Sequence, residues 1–176
     1  MSVSENDLEG ALNRLVPPKK CLVIGLGNAD RADDGLGLII SEKLKARFPS
    51  RAFSERESPP ENIVLDHLND EKVKGFLFID AMDFGGRPGT FRIFTWDDAS
   101  RFVPSLSTHK VPMTLIMSII NQHDKVPLLL GVQPESVELM GELTEPVKHT
   151  LVRLESILER WLEQNEQGEK TSNESL

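Results

Sequence analysis

Two aspartates and one histidine, carried by three different loops, are the residues best suited to chemistry in this sequence. Asp34 lies in the loop after a first apolar segment, Asp80 ends a second one, and His109 precedes an apolar helix. Carboxylate oxygens and an imidazole nitrogen together suit Ni²⁺, Zn²⁺, Fe²⁺ or Mn²⁺ and leave positions open for substrate or water. The pattern predicts a divalent metal site at Asp34, Asp80 and His109.

The same loops allow a second chemistry without a bound metal. Two carboxylates in one cleft, Asp34 with Asp80 or Asp83, can activate a water molecule, and a metal between them can do the same. Asp34 and Asp80 are therefore candidate catalytic residues, with Asp83 as the alternative partner of Asp34, and one carboxylate of the pair would act as the general base. Asp83 and the glycines after it are expected to shape the cleft.

Simpler explanations exist for the other polar residues nearby. A loop aspartate is more often a cap or turn residue than a ligand, and Asp33, next to a helix start, is interpreted as such a cap. His109 itself fits an ordinary histidine at a helix start equally well. The other histidines have no acidic partner at a useful spacing and are expected to be surface or core residues: His67, His123 and His149.

Nucleotide binding and nucleophilic catalysis are not supported. Gly25 and Gly27 lie between a strand and a helix, but Asp30 stands where the dinucleotide fingerprint needs a third glycine, and the P-loop pattern is absent. The two glycines are interpreted as permissive backbone at a tight turn. Cys21 begins a buried strand, where thiols are usually inert, and Ser107 lacks the glycine-flanked turn of a nucleophilic serine.

The strands and helices that position these residues follow from the apolar patterns. Three apolar segments predict strands buried on both faces of a parallel sheet: residues 21–27, 75–80 and 126–132. Residues 51–58 predict an edge strand, and the alternating residues 90–96, after a short loop, predict an antiparallel neighbour of the strand before them. Helices are predicted at residues 5–15, 36–48, 61–69, 111–121 and 144–162.

These elements predict a three-layer α/β sandwich, with a mostly parallel, twisted sheet of about five strands, one antiparallel strand, and helices on both faces. Ligands of open α/β sheets bind beyond the carboxyl ends of the strands, where loops from different strands meet. Asp34 and Asp80 both follow predicted parallel strands. We therefore expect the two carboxylates to face one cleft.

Length and charge limit the class of protein. The chain has 176 residues, one cysteine and a formal net charge of −8. We expect a single domain over residues 1–176, with a leader helix within residues 1–20 and a flexible polar tail at residues 163–176. Acidity without a basic run argues against nucleic acid as a partner, and no apolar segment approaches the ~20 residues of a membrane span. The single cysteine fits the cytoplasm, and a monomer or weak homodimer is expected.

Five groups of short motifs follow one another between residues 21 and 147. They are Gly25-Leu26-Gly27-Asn28 with Asp33-Asp34-Gly35-Leu36-Gly37, Ser58-Pro59-Pro60-Glu61-Asn62, Phe78-Ile79-Asp80-Ala81-Met82-Asp83 with Pro88-Gly89, Thr108-His109, and Gly131-Val132-Gln133-Pro134 with Thr144-Glu145-Pro146-Val147. In this order they resemble the hydrogenase maturation endopeptidases, most closely the hydrogenase-3-type branch. Members of that family trim the C-terminal extension from the large subunit of [NiFe] hydrogenases.

The resemblance implies a metal contact for three loop residues. In the family, an acidic residue of the first loop, an aspartate after the third strand and a histidine before a later helix bind a divalent metal and contact nickel already inserted in the substrate. Those positions correspond to Asp34, Asp80 and His109. The nickel would then be carried by the large-subunit precursor, with no permanent organic cofactor, and cleavage would wait for nickel insertion.

Two other classes of protein remain open at this point. A receiver-like phosphoacceptor module also places aspartates after its first and third strands, around Mg²⁺. Such a module needs a lysine after a late strand, whereas residues 126–132 are followed by Gln133 and Pro134. A non-catalytic, nickel-sensing maturation chaperone would bind the precursor without shortening it.

Overall fold

The computed structural model describes residues 7–102 and 111–164, which contain a five-stranded sheet. Its strands are β1 (Cys21–Gly25), β2 (Ala52–Ser54), β3 (Gly75–Ala81), β4 (Phe91–Phe94) and β5 (Val126–Val132). They lie in the order β2-β1-β3-β5-β4, and every neighbouring pair is parallel except β4 and β5, which are antiparallel. The prediction of a mostly parallel sheet with one antiparallel strand is confirmed.

Helices cover both faces of this sheet. They are α1 (Leu8–Leu15), α2 (Leu36–Arg47), α3 (Pro60–His67), α4 (Trp96–Phe102), α5 (Met113–Gln122) and α6 (Glu145–Glu163). One apolar core joins α1, α2 and α6 to the sheet, and a second core on the opposite face joins α3, α4 and α5. The three-layer sandwich is therefore confirmed, with three helices on each face in the described part of the chain.

The central strands change from apolar to polar where they reach the edge of the sheet. All five residues of β1 are buried, as the continuous apolar run predicts for a strand covered on both faces. In β3 the first five residues are buried, but Asp80 and Ala81 at its carboxyl end are only half-buried. The sequence of β3 thus delivers a carboxylate to the edge at which the loops meet.

The neighbour predicted for β4 is wrong. The loop between β3 and β4 is short, yet β5 lies between them and pairs in parallel with β3 over its whole length, from Val126 beside Gly75 to Val132 beside Ala81. Six of the seven residues of β5 are buried, so this strand needs a neighbour on each side. The shorter β4, with half-buried Arg92, takes the edge position instead.

Helix α4 is absent from the sequence prediction but has a local signal. The Asp98 carboxylate accepts hydrogen bonds from the backbone N–H and the hydroxyl of Thr95, both at 3.0 Å. The Thr95 hydroxyl in turn accepts a hydrogen bond from the Asp98 N–H at 3.4 Å. This reciprocal pair is the aspartate form of a capping box and marks the start of the helix.

The predicted leader helix is present as α1 and packs into the first core. Leu8 and Leu12 are buried, and the indole N–H of buried Trp161 in α6 donates to the Asn13 side-chain oxygen at 3.0 Å. Most of the predicted tail, from residue 165 onward, lies outside the described residues, so its flexibility stays a prediction. No helix in residues 7–102 and 111–164 combines the length and apolar character needed to cross a bilayer.

Candidate active site

A cleft of about 550 Å³ lies beyond the carboxyl ends of β1, β3 and β5. Its charged lining residues are Arg31, Asp34, Asp80, Asp83 and Glu135. Asp34 and Asp80 thus line one cleft, as their places after parallel strands predict. Because acidic side chains outnumber the basic one in this lining, the cleft favours a cationic or metal-bearing ligand.

Asp34 is positioned by a short 3₁₀ turn (Ala32–Gly35) between β1 and α2. The Asn28 N–H donates to the Asp34 carbonyl at 3.1 Å, and the Asp34 N–H donates to the Arg31 carbonyl at 3.0 Å. Gly27, with φ +136°, permits this close turn, since a Cβ there would lie 1.9 Å from the Asp34 carbonyl oxygen. The Asp34 side chain is half-buried where it lines the cleft.

Glu55, which directly follows the edge strand β2, is hydrogen-bonded to the strand end and loop that precede this turn. Its carboxylate accepts a hydrogen bond from the Gly27 N–H at 2.9 Å, and its own N–H donates to the Gly25 carbonyl at 2.9 Å. Glu55 is not among the residues predicted from the sequence to form the site. The available signal is an acidic residue directly after a strand that neighbours β1.

Gly25 and Gly37 let α2 lie directly against the strand ends below the cleft. A Cβ on Gly25 would be 2.1 Å from the Gly37 carbonyl oxygen, and one on Gly37 would be 2.2 Å from the Ile79 carbonyl oxygen. The interpretation of both early glycines as turn residues therefore holds for Gly27, whereas Gly25 is needed for helix packing. This packing fixes the start of α2 beside the backbone that carries Asp80.

Asp80 is the sixth of the seven residues of β3 and pairs in register with Gly131 of β5. Its backbone is therefore fixed by the sheet, whereas Asp34 is fixed by a loop. A catalytic group on a strand is held more rigidly than one on a loop. Between them, the two elements bring carboxylates to the same cleft from different directions.

His109, the third predicted ligand, lies outside the described residues. In residues 7–102 and 111–164 there is no group of three or more histidine, cysteine, aspartate or glutamate side chains able to hold a metal ion. Of the three predicted ligands, the described residues thus contain the carboxylates of Asp34 and Asp80, and the complete three-residue metal site stays a prediction. His67 and His123 each have a ring nitrogen near a backbone carbonyl one helical turn earlier, so local contacts explain them.

Asp33 does not cap the helix beside it, so this part of its predicted role is wrong. The residue before α2 is Gly35, which makes no side-chain capping bond, whereas the fully buried Asp33 carboxylate points to the loop after β5. It accepts hydrogen bonds from the N–H groups of Glu135 (2.8 Å), Ser136 (3.0 Å) and Thr144 (2.7 Å). Asp33 therefore joins the turn that carries Asp34 to another wall of the cleft.

Gln133 organises the third wall of the cleft, a role that is not among those predicted from the sequence. Its buried side-chain oxygen accepts hydrogen bonds from the N–H groups of Phe84 at 2.9 Å and Gly86 at 3.0 Å. Its side-chain nitrogen donates to the Asp83 carboxylate at 3.1 Å. The signal is its place directly after a buried strand, the same kind of boundary that Asp80 occupies.

Asp83 is exposed in the cleft and is held in its ionised form. The Gly85 N–H donates to its carboxylate at 3.0 Å, and this bond, followed by the one from Gln133, lowers the pKa of Asp83 below its usual value. Hydrogen bonds to the charged form explain the direction, because the donors bind the carboxylate more strongly than the protonated acid. Asp83 therefore contributes negative charge to the cleft.

The fold and the cleft together define a three-layer α/β protein with a carboxylate site at the strand ends. Such a site is suited to activating water, and in the described residues it has no nucleotide-binding loop and no exposed thiol. Hydrolysis is the reaction class that this chemistry favours.

Comparisons with known proteins identify the family. Residues 60–161 match the family described as hydrogenase maturation protease. The chain is 27% identical over 141 residues to the hydrogenase 3 maturation protease of Escherichia coli K12, covering 80% of this chain and 89% of that protein. It also superposes on the [NiFe] hydrogenase maturation protease HycI of Thermococcus kodakarensis (TM-score 0.67, 27% identity, 82% and 92% of the two chains) and on the endopeptidase HycI of Escherichia coli (TM-score 0.63, 26%, 81% and 90%).

The chain belongs to the hydrogenase maturation protease family, in its hydrogenase-3-type branch. It is accordingly a hydrolase, an endopeptidase that acts in hydrogenase maturation. This assignment favours the enzyme over the receiver-like module and the non-catalytic chaperone. The cleft that Asp34 and Asp80 share is its candidate active site.

Proposed function

We propose that this endopeptidase removes the C-terminal extension from the precursor of a [NiFe] hydrogenase large subunit after nickel has been inserted. The observation that carries the proposal is that Asp34, from a loop, and Asp80, from strand β3, line one acidic cleft in a chain of this family. A cleft with this excess of carboxylates attracts a substrate segment that brings a cation.

Nickel belongs to the substrate in this proposal and serves to recognise and orient it. The carboxylates of Asp34 and Asp80, with the His109 imidazole, are the donors that would contact it, and oxygen and imidazole donors fit Ni²⁺. A precursor without nickel loses these contacts and no longer holds its scissile bond in the cleft. Processing therefore waits for metal insertion.

Peptide hydrolysis then needs a base that takes a proton from the attacking water. Asp34 or Asp80 supplies it, a contribution of typically 10²–10⁴-fold. The water oxygen adds to the scissile carbonyl, the C–N bond breaks, and the released amine takes up the proton. Both carboxylates are half-buried, which combines access for water with a weaker hydration shell around the charge.

The test compares nickel-loaded with nickel-free precursor and follows the mass loss of the extension. The wild-type protein is expected to shorten only the loaded precursor, and Asp34→Asn and Asp80→Asn are each expected to abolish cleavage while keeping the far-ultraviolet circular dichroism spectrum. Asp66→Asn, at an exposed position on α3, is the matched control and is expected to cleave normally. Equal processing of both precursors would refute the nickel requirement, and normal cleavage by both active-site variants would refute the residue assignment.

The partner and the compartment follow from the same proposal. The protein partner is the large-subunit precursor, and the cytoplasm is the compartment that suits a single, reduced, buried thiol. We further propose a monomer or weak homodimer in solution. Sedimentation of the purified chain at several concentrations tests this, and a stable larger assembly would contradict it.

A further inference from the structure

The loop at residues 135–144, which follows β5, carries an unusual concentration of exposed apolar side chains. In the described part of the chain six large apolar residues are exposed, and three of them lie in this loop: Val137, Leu139 and Met140. Leu139 is 66% exposed and Met140 is 81% exposed. Exposed apolar groups that cluster in this way commonly mark an interaction surface, whereas isolated ones need no explanation.

This loop is held in one shape from both of its ends. The buried Asp33 carboxylate accepts hydrogen bonds from the N–H groups of Glu135 and Ser136 at the start of the loop and from that of Thr144 at its end. The Asp33 N–H also donates to the Ser136 carbonyl at 3.0 Å. The loop is thus prepared before any partner arrives, which lowers the entropic cost of binding.

The tip of the loop is fastened to the turn that carries Asp34. The Met140 N–H donates to the Asp30 carbonyl at 2.7 Å, and the Arg31 side chain donates to the Val137 carbonyl at 3.2 Å. A contact made at the tip is therefore connected through two hydrogen bonds to one wall of the catalytic cleft. Val137 itself both lines the cleft and belongs to the apolar cluster, so the two surfaces are continuous.

The backbone of Met140 has a conformation that is unfavourable for a residue with a side chain. Its φ is +61°, a left-handed conformation that costs roughly 1–2 kcal/mol for a residue with a Cβ and nothing for glycine. The side chain is largely exposed and gives little packing in return. Folding alone thus supplies no reason for methionine at this position, whereas an intermolecular contact does, because methionine adapts readily to a partner surface.

We propose that the 135–144 loop is a docking element for the large-subunit precursor, in which Leu139 and Met140 contact an apolar segment next to the bond that is cut. This inference rests on the proposed function for the identity of the partner. The precursor is the occupant because its peptide segment, once bound in the cleft, lies against Val137, which both lines the cleft and belongs to the loop. The acidic cleft selects the metal-bearing part, and the apolar tip selects the adjoining chain.

The experiment measures kcat and KM for nickel-loaded precursor with the variant Leu139→Ser/Met140→Ser. KM is expected to rise about tenfold or more, as for loss of apolar anchors at an interface, while kcat stays within about twofold because the catalytic carboxylates are unchanged. Leu65→Ser/Val152→Ser is the matched control, since these side chains have similar exposure but belong to α3 and α6, outside the 135–144 loop. Its KM is expected to equal that of the wild type.

The variant Met140→Gly separates docking from folding. Glycine accepts φ +61° without strain, so the midpoint of urea unfolding is expected to stay the same or rise, whereas KM is expected to increase severalfold. An unchanged KM in both Met140→Gly and the double variant would overturn the inference. A rise in KM that the Leu65→Ser/Val152→Ser control shares would also overturn it.

Direct binding distinguishes failure of docking from failure of the proposed proteolysis. Wild-type protein and the double variant are each titrated with nickel-loaded precursor, and binding is measured by calorimetry. The mass of the precursor is measured after each titration to show whether it has been cleaved. If the wild type binds the precursor tightly, the double variant binds it about tenfold more weakly, and no shortening occurs, docking stands and proteolysis fails. If the wild type neither binds nor cleaves the precursor, both are refuted.

Discussion

The Asp33 carboxylate accepts hydrogen bonds from both the backbone N–H and the hydroxyl of Thr144, a residue that lies 111 positions later in the chain and directly precedes α6. Adjacent Asp34 instead lines the cleft of the candidate active site. Two neighbouring residues of the same type therefore have different tasks: one fixes the walls of the cleft relative to each other, and the other is available for chemistry.

Replacing Asp33 by alanine is expected to destabilise the protein by about 3 kcal/mol. The change leaves the N–H groups of Glu135, Ser136 and Thr144 without their charged acceptor, and bonds to a buried charge are stronger than neutral ones. Urea unfolding gives the loss in free energy of unfolding. Asp34→Ala, at a half-buried position, is expected to cost under about 1 kcal/mol, and equal losses from both variants would contradict this division of roles.

Elements whose burial is decided by their own residues could be predicted from the sequence. The continuous apolar runs at β1, β3 and β5 specify strands covered on both faces, and their parallel direction places Asp34 and Asp80 at one edge. The predicted cleft therefore has its two carboxylates in place. The edge position of β2 is also confirmed, since a short strand with a polar continuation suits the border of a sheet.

Features that depend on distant partners could not be predicted in this way. The place of β4 depends on β5, a segment that comes more than thirty residues later and competes for the same edge of β3. The task of Asp33 likewise depends on Thr144. Local patterns favour the nearest explanation, a hairpin neighbour and a helix cap, because neither pattern contains information about the later segment.

Alanine at Gly37 is expected to reduce stability by about 3 kcal/mol or more and to displace Asp80. Its Cβ would lie 2.2 Å from the Ile79 carbonyl oxygen and 2.4 Å from that of Leu26, and backbone atoms cannot move aside as a flexible side chain would. The Ile79 carbonyl also accepts the Leu26 N–H at 2.9 Å, so this bond is strained as well. Thermal unfolding and cleavage assays measure the two effects.

Gly35→Ala is the matched control for that variant, two residues earlier in the same segment. Its φ is −79°, which suits any residue, and the nearest atom to an added Cβ is the Ala29 Cα at 3.5 Å, an ordinary contact. We expect stability within about 1 kcal/mol of the wild type. A loss as large as that of Gly37→Ala would show that the close approach of α2 to the strand ends is not the cause.

The carboxyl of Asp83 is expected to titrate below its usual pKa of 3.8 in the folded protein, and Gln133→Leu is expected to bring the pKa back toward that value. The Gly85 N–H and the Gln133 amide both donate to the ionised form, and the variant removes the second donor. Carbon-detected NMR titration of the side chain measures the change. An identical pKa in the variant would mean that the Gln133 contact is absent in solution.

The same shift gives a pH dependence of stability with a defined sign. A folded-state pKa below the unfolded one means that the unfolded chain binds more protons in the interval between them, so the stabilisation is complete above the usual pKa and is lost as the pH falls through the folded value. Asp83→Asn removes this contribution. The difference in unfolding midpoint between wild type and variant is therefore expected to be constant above about pH 5 and to shrink in more acidic solution.

Cys21 is expected to be unreactive in the folded enzyme and unnecessary for catalysis. It begins β1, at the end of the strand opposite the cleft, and burial raises the pKa of its thiol to about 12. At about pH 8 the thiol is therefore protonated and shielded, whereas the unfolded chain exposes a thiol with a pKa near 8.5. Iodoacetamide is expected to label the protein in concentrated urea but not in buffer, with mass spectrometry as the readout.

Cys21→Ala is expected to keep full cleavage activity while losing about 1 kcal/mol of stability from the small cavity. Rapid labelling of the native protein would contradict the burial of the thiol, and loss of cleavage in Cys21→Ala at unchanged fold would contradict the assignment of water activation to Asp34 and Asp80.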